Sequence, residues 1–220
     1  SRQYKRGKVF TAEDLESMSE RFGRYVDVDG DGIPYRTYPG THPTKGSFFT
    51  RGTSRDEYAV YTEDGSEYEK NMQRLLKKWE TAKKYVPAPE IIIAEKGSSI
   101  GVLHFGTSTD ATMEAIDYLT RDGLAVDSCR IRAFPFNQEI EDFIDSHRTV
   151  FVVEQNRDAQ MRSLLVNDYE INPKNLIPVL NYDGMPITAS FIQGKIVDYM
   201  DRAKVTPLRK DSANDNTANV

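Results

Sequence analysis

The chain has 220 residues, 38% hydrophobic and 29% charged, with a formal net charge of -5 and a pI near 5.4. That balance suits one globular core with appendages and gives no reason to expect nucleic acid or an acidic membrane surface as a partner. No apolar run approaches the roughly 20 residues needed to span a bilayer, and the single cysteine, Cys129, excludes an internal disulfide and an iron–sulfur cluster built by this chain alone.

The chain opens on Ser1 without an initiating Met, as a piece of a longer protein would. Its first eight residues lack the apolar core of a signal peptide, so the reducing cytosol is the expected compartment. A basic arm leads to a short helix capped by Thr11, with Glu13 and Asp14 at its positive end and Leu15, Met18 and Phe22 on one stripe, stopped by Gly23. From Tyr25 to Glu63 there is no long periodic segment; the stretch is dense in Gly and Pro and carries aromatic residues, among them Tyr35, Tyr38, Phe48, Phe49, Tyr58 and Tyr61. Such a stretch is predicted to be an ordered connector held by a neighbouring domain rather than a disordered one. Ser66 to Val86 is predicted as the clearest helix, with Tyr68, Met72, Leu75, Leu76, Trp79, Ala82 and Val86 on one face and Pro87 and Pro89 ending it.

The rhythm then changes to strands alternating with helices. Strands are predicted at Glu90–Ala94, Ile100–Phe105, Val126–Ala133, Val150–Val153 and Leu176–Leu180. Thr149-Val-Phe-Val-Val reads as a strand buried on both faces, and Pro178 puts the last strand at an edge, because it cannot donate to a ladder. Helices are expected after Ser108 or Thr109 as cap, around Ile140–Ile144, from Asp158 to Asp168 with Asp158 or a neighbour as cap, and over Ile187–Ala203. The alternation predicts a three-layer α/β/α domain at 89–205, after a connector at 1–88 and before a polar, disordered tail at 206–220.

Few motifs carry chemistry. Asp27-x-Asp-x-Asp-Gly opens like an EF-hand loop, but Tyr38 stands where the bidentate Glu belongs, so a Gly-rich turn capping its own amides is expected. Gly101-x-x-x-x-Gly106-Thr-Ser-Thr lies between strand and helix, yet it is neither a dinucleotide fingerprint nor a P-loop; a tight turn with a hydroxyl cap is expected. His42, His104 and His147 show no metal spacing, and Cys129 reads as a small buried hydrophobe. The polar corner Glu154–Gln160 is the best candidate for a role beyond packing, although such groups often only tie loops together.

Five segments in order give a resemblance. Asp29-Gly-Asp-Gly-Ile-Pro-Tyr-Arg-Thr-Tyr-Pro-Gly-Thr, Arg51-Gly-Thr-Ser-Arg-Asp-Glu-Tyr, Asn71-Met-Gln-Arg-Leu-Leu-Lys-Lys, Arg132-Ala-Phe-Pro-Phe and Val153-Glu-Gln-Asn-Arg-Asp-Ala-Gln resemble the C-terminal part of the alpha subunit of 2-oxoacid:ferredoxin oxidoreductases, most of all the 2-oxoglutarate branch. The resemblance runs from about Lys5 to about Ala203. It implies a mainly parallel, five-stranded mixed sheet like the transketolase C-terminal domain, its first strand antiparallel. It also implies membership of a thiamine diphosphate enzyme that converts 2-oxoglutarate and coenzyme A to succinyl-CoA and CO2, passing electrons through a [4Fe-4S] cluster to ferredoxin. In that family the diphosphate, Mg²⁺ and cluster sit mainly in the beta subunit, and the pyrimidine-binding part of the alpha subunit precedes the matched region.

On this reading the chain binds no cofactor alone and is not catalytic. It shapes an interface with the beta subunit and with the pyrimidine-binding portion of the alpha subunit. Position and chemistry nominate Arg36, Thr41 and Arg51 in the connector and Glu154, Gln155, Asn156 and Gln160 at the corner for contacts near that interface or a cofactor. A stand-alone binding or regulatory module, or a nucleotide-binding Rossmann-like domain using Gly106-Thr-Ser-Thr, stands as the alternative.

Overall fold

A computed structural model describes residues 4–205; the predicted tail from Thr206 lies outside the described residues. The chain divides between Val86 and Pro87 into two compact units, taken here in turn.

In the first unit the Thr11 hydroxyl accepts the Asp14 amide at 3.2 Å while the Asp14 carboxylate accepts the Thr11 amide at 2.8 Å. This reciprocal cap starts α1 (Ala12–Ser17) where predicted. The helix stops at Ser17, not at Gly23, because Met18 turns extended and Phe22 swings into a buried edge-on contact with Phe10. Burying a Phe is worth about 2 kcal/mol, more than the helical turn given up.

Between Ser17 and Gly65 the described residues form no helix or regular strand, only bridges at Val9–Arg36 and Arg55–Tyr61. The second helix, α2 (Gly65–Ala82), starts on Asp64, whose carboxylate accepts the Ser66 amide at 2.8 Å. It ends at Ala82, before the predicted Val86: the last residues relax into single turns, the Lys84 amide donating to Thr81 and the Tyr85 amide to Ala82.

Within this unit the irregular segment is held by α2. Asn71 donates to the Arg55 carbonyl, Arg74 to Gly32 at 3.1 Å and Thr81 to Asp31 at 2.6 Å, from one polar face of the helix. Gly32 has φ +79 and lies so close that a Cβ would fall 2.3 Å from the Lys78 amide nitrogen. The apolar stripe borders this polar face and is left open: no residue of α2 is buried, and Tyr68, Met72, Leu75, Leu76 and Trp79 are exposed.

The second unit is the predicted α/β domain. Strands β1 (Glu90–Ile92), β2 (Ile100–His104), β3 (Asp127–Arg130), β4 (Thr149–Glu154) and β5 (Leu176–Leu180) form one five-stranded sheet in the order β1-β3-β2-β4-β5. The pairs β3–β2, β2–β4 and β4–β5 are parallel, and β1 pairs antiparallel with β3, as expected. Pro178 does lie in an edge strand. Helices α3 (Thr109–Arg121), α4 (Gln138–Asp145), α5 (Gln160–Tyr169) and α6 (Ala189–Val205) complete the layers.

Alternation along β4 divides the core in two. Phe151 and Val153 pack with Val102, with Ala115 and Leu119 of α3, and with Ile192 and Ile196 of α6. Val150 and Val152 pack on the opposite face with Leu103, Cys129, Ile140 and Phe143 of α4, and Leu165 of α5. The third strand ends at Arg130, short of the predicted Ala133, because the chain leaves the sheet to bury Phe136 beside Tyr169.

Candidate functional site

In open parallel sheets the loops at the carboxyl ends of the strands carry function, and here the loop after β4 is organised around one carboxylate. Glu154 is the last residue of β4 and fully buried. Its Oε2 accepts the Met161 amide at 2.7 Å and the Asn156 side-chain amide at 2.7 Å; Oε1 accepts the Arg162 amide at 2.9 Å. Asn156 Oδ1 in turn accepts the Asp158 and Gln160 amides at 3.1 and 3.2 Å.

Glu154 therefore caps α5 from six residues upstream of the helix, which corrects the expected cap by Asp158 or a neighbour. The residue before the helix is Ala159 in the left-handed conformation, φ 50, with no side-chain cap of its own, and Asp158 instead pairs with its neighbour Arg157 at 2.7 Å. A buried anion at the positive end of a helix is stabilised by both amides and dipole. Gln155 reaches sideways to the Thr107 hydroxyl at 2.7 Å, joining this loop to the one after β2. Of the nominated corner residues, Glu154 and Asn156 face inward, while Gln155 and Gln160 remain exposed.

The loop after β2 differs from its expected role. Ser108 and Thr109 do not cap α3; their hydroxyls donate back to the Phe105 and Gly106 carbonyls at 2.7 and 2.9 Å. Gly101 has a packing role: a Cβ there would lie 2.8 Å from the Phe143 ring and 3.1 Å from His147.

Two histidines are buried beneath the sheet's ends. His147 Nε2 faces the Asp127 carboxylate at 3.1 Å, and its Nδ1 lies 2.5 Å from the Phe143 carbonyl. The same Asp127 carboxylate accepts the Ala94 amide at 2.8 Å and the Ser98 amide at 3.3 Å, fastening the β1–β2 connection. His104 meets the Ser128 hydroxyl through Nε2 at 2.9 Å, but its buried Nδ1 has no partner, so it is only half satisfied.

Burial first, then the charge of Arg130, lowers the His104 pKa to about 4. Its folded value thus lies below the unfolded value of about 6.5, and the unfolded chain binds the extra proton between them. Stability contributed by neutral His104 is complete above about pH 6.5 and is lost as the pH falls toward 4; at pH 4.5 the loss is about 2–3 kcal/mol. Urea unfolding at pH 7 and 4.5 is expected to show that part of the acid loss disappear in His104→Asn; an unchanged loss would refute the assignment.

The connector residues nominated from sequence are engaged locally. Arg36 pairs with the N-terminal arm through its backbone, bonding Lys8 and Phe10 at 3.0 Å each, while its side chain is exposed. Thr41 closes a turn on Tyr38, and Arg51 lies over the Tyr61 ring at 5.8 Å. The structure does not join these three residues into one cluster. The Asp27 turn caps its own amides: Asp27 accepts from Asp31 at 3.0 Å and Gly32 at 2.9 Å. Lys8 lies 2.6 Å from both Asp29 and Asp31, where a calcium loop would hold its cation. Although desolvation pulls the Lys8 ammonium down, those two hydrogen bonds raise it above the usual lysine range.

No group of three or more His, Cys, Asp or Glu among the described residues is placed to hold a metal ion. Cys129 is fully buried in β3, and burial pushes its thiol up to about 12, which does not fit a cluster ligand. Sequence reasoning missed a cleft around Tyr25, Arg55 and Arg74, because these residues are far apart in the chain and share no motif.

No protein-family model matches the chain. Among solved structures, the 2-oxoglutarate:ferredoxin oxidoreductase from Magnetococcus marinus, with 2-oxoglutarate, coenzyme A and succinyl-CoA bound, superposes with a TM-score of 0.72 at 19% identity. The match covers 83% of this chain and 31% of that one. The two share a fold. The likeness extends beyond what the sheet unit alone could supply, so it takes in part of the connector. The alpha chain of a probable 2-oxoacid ferredoxin oxidoreductase from Thermoplasma acidophilum matches at 23% identity over 52% of this chain and 97% of that one, TM-score 0.36. A split-gene transketolase matches at 16% over 51% and 41%, TM-score 0.42. At those scores neither adds to the argument. This chain spans about a third of the first neighbour's length.

Proposed function

We propose that the chain is the C-terminal part of the alpha subunit of a thiamine-diphosphate-dependent 2-oxoglutarate:ferredoxin oxidoreductase. The observation that carries this reading is the 0.72 superposition over 83% of the chain, connector included, on an enzyme of that name. The five sequence segments above point to the same place. The complete enzyme would convert 2-oxoglutarate and coenzyme A to succinyl-CoA and CO2, with the electrons passing to ferredoxin, in the cytosol.

Within that enzyme the chain's task is structural. Thiamine diphosphate, Mg²⁺ and a [4Fe-4S] cluster belong to the beta subunit and to the pyrimidine-binding part of the alpha subunit. Two observations support that division: Cys129 is buried and inert, and the corner carboxylate Glu154 is spent on backbone amides. The groups left for an interface are the exposed Gln155 and Gln160 at the corner and Arg36, Thr41 and Arg51 in the connector.

Capture of the polypeptide from its native source, with intact masses and a visible spectrum, tests the reading. The expected result is a heavier parent chain, or a separate chain with the missing domain, together with a beta-like partner and brown iron–sulfur absorbance. A lone colourless chain of 25.1 kDa would refute it and leave a stand-alone binding module.

A further inference from the structure

The N-terminal unit contains a cationic cleft that the proposed enzyme role does not use. Three guanidiniums surround the Tyr25 ring, Arg24 at 5.4 Å, Arg74 at 5.6 Å and Arg55 at 5.9 Å from its centroid. None of the three has a carboxylate within ion-pair distance among the described residues. Cation–π attraction to one ring does not cancel mutual repulsion between three cations.

Arg55 and Arg74 line a cleft of about 250 Å³ together with Tyr25, Asn71, Thr53 and Tyr68; Met72 and Leu75 supply its apolar wall, and no acidic residue lines it. The nearby carboxylates are already engaged. Asp27 accepts two backbone amides and lies 3.9 Å from Lys77, and Glu57 is bound to Lys70 at 2.9 Å. The Arg74 side chain donates to the Gly32 carbonyl at 3.1 Å while its buried Nε finds no acceptor. Burial lowers its pKa, a cost Asp27 opposes only in part. Arg55 likewise donates only to neutral oxygens, the Thr50 hydroxyl at 3.1 Å, the Tyr25 hydroxyl at 3.4 Å and the Gly52 carbonyl at 2.9 Å. Both positive charges are thus left without a counter-charge, which suits an oxyanion that takes the remaining N–H groups.

We propose that this cleft binds a small organic anion, whose phosphate or carboxylate group lies between Arg55 and Arg74 and whose short apolar body rests on Tyr68, Met72 and Leu75. The volume, about 250 Å³, falls just under the roughly 300–1,000 Å³ of drug-sized sites and suits a ligand of few heavy atoms. The site is built within the N-terminal unit alone, so it stands or falls independently of the enzyme assigned above.

The arginine side-chain NH signals of the 220-residue chain report on this directly. The chain is titrated with inorganic phosphate and, separately, with succinate, at ionic strength held constant with sodium chloride. Saturable shifts at Arg55 and Arg74 are expected with at least one anion; phosphate alone identifies a phosphate site, and succinate alone a carboxylate site. Arg74→Lys keeps the charge but loses the fork and is expected to weaken binding about tenfold or more. Arg121→Gln, in the other unit, is expected to leave it unchanged. If Arg74→Lys does not fold, Arg55→Lys serves, and the wild-type titration stands by itself. Failure of both anions to saturate the two signals, or the same affinity in the lysine variants, overturns the proposal.

Discussion

Glu154→Ala is expected to destabilise the protein by about 3–5 kcal/mol. Three N–H groups converge on this carboxylate, from Met161, Arg162 and Asn156, all within 2.9 Å and in a fully buried position. Hydrogen bonds to a charged group are worth about 1.5–3 kcal/mol each, and removal takes the acceptor from the part-buried first amides of α5. Glu154→Gln separates charge and pairing from size. The amide has nearly the shape of the carboxylate, but one of its two ends is an NH2 group, which must then face N–H donors. It is expected to cost at least half as much as the alanine. Urea unfolding measures both. A loss under about 1 kcal/mol in the alanine variant, or full tolerance of glutamine, would show that Glu154 is not the cap. Asn156 organises the same corner from inside, so Asn156→Ala is expected to act on stability before it acts on any interface.

Asp127→Ala is expected to cost a similar amount, about 3–5 kcal/mol, for a different reason. Asp127 and His147 are both buried, and the aspartate also takes the Ala94 and Ser98 amides. Removing the carboxylate strands the histidine and loosens the β1–β2 connection together. Pairing it with His147→Leu removes the stranded partner, so the double variant is expected to be less damaged than the sum of the two single ones, by about 1–2 kcal/mol. Strict additivity in the double-mutant cycle would sink the claim that these side chains act as a pair.

Both effects arise in the sheet domain, which is also where the sequence was most readable. Strand-like segments alternating with helical stripes specify an α/β domain, because a central strand buried on both faces is continuously apolar and a crossover helix is amphipathic. Thr149–Val153 met that condition, and the structure divides its side chains between the two cores. Pro178 marked an edge, and Thr11 marked a helix start, since both depend on chemistry within a few residues. Helix ends were less readable. The first helix ends early, at Ser17, because Phe22 is buried against Phe10, which is a tertiary effect.

The candidate sites divide along the same line. Sequence alone determined that the Glu154–Gln160 corner is polar, that the Asp27 turn can cap itself, and that no catalytic constellation is written into neighbouring residues. The tertiary structure alone decided that Glu154 points inward to cap α5, that Gly101 makes room for Phe143, and that Arg55 and Arg74 meet over Tyr25. A local pattern fixes which residues are polar or apolar and with what period. Which polar groups converge, and whether their partners are amides, ions or an open cleft, is settled by contacts between residues tens of positions apart. Only the folded chain supplies those.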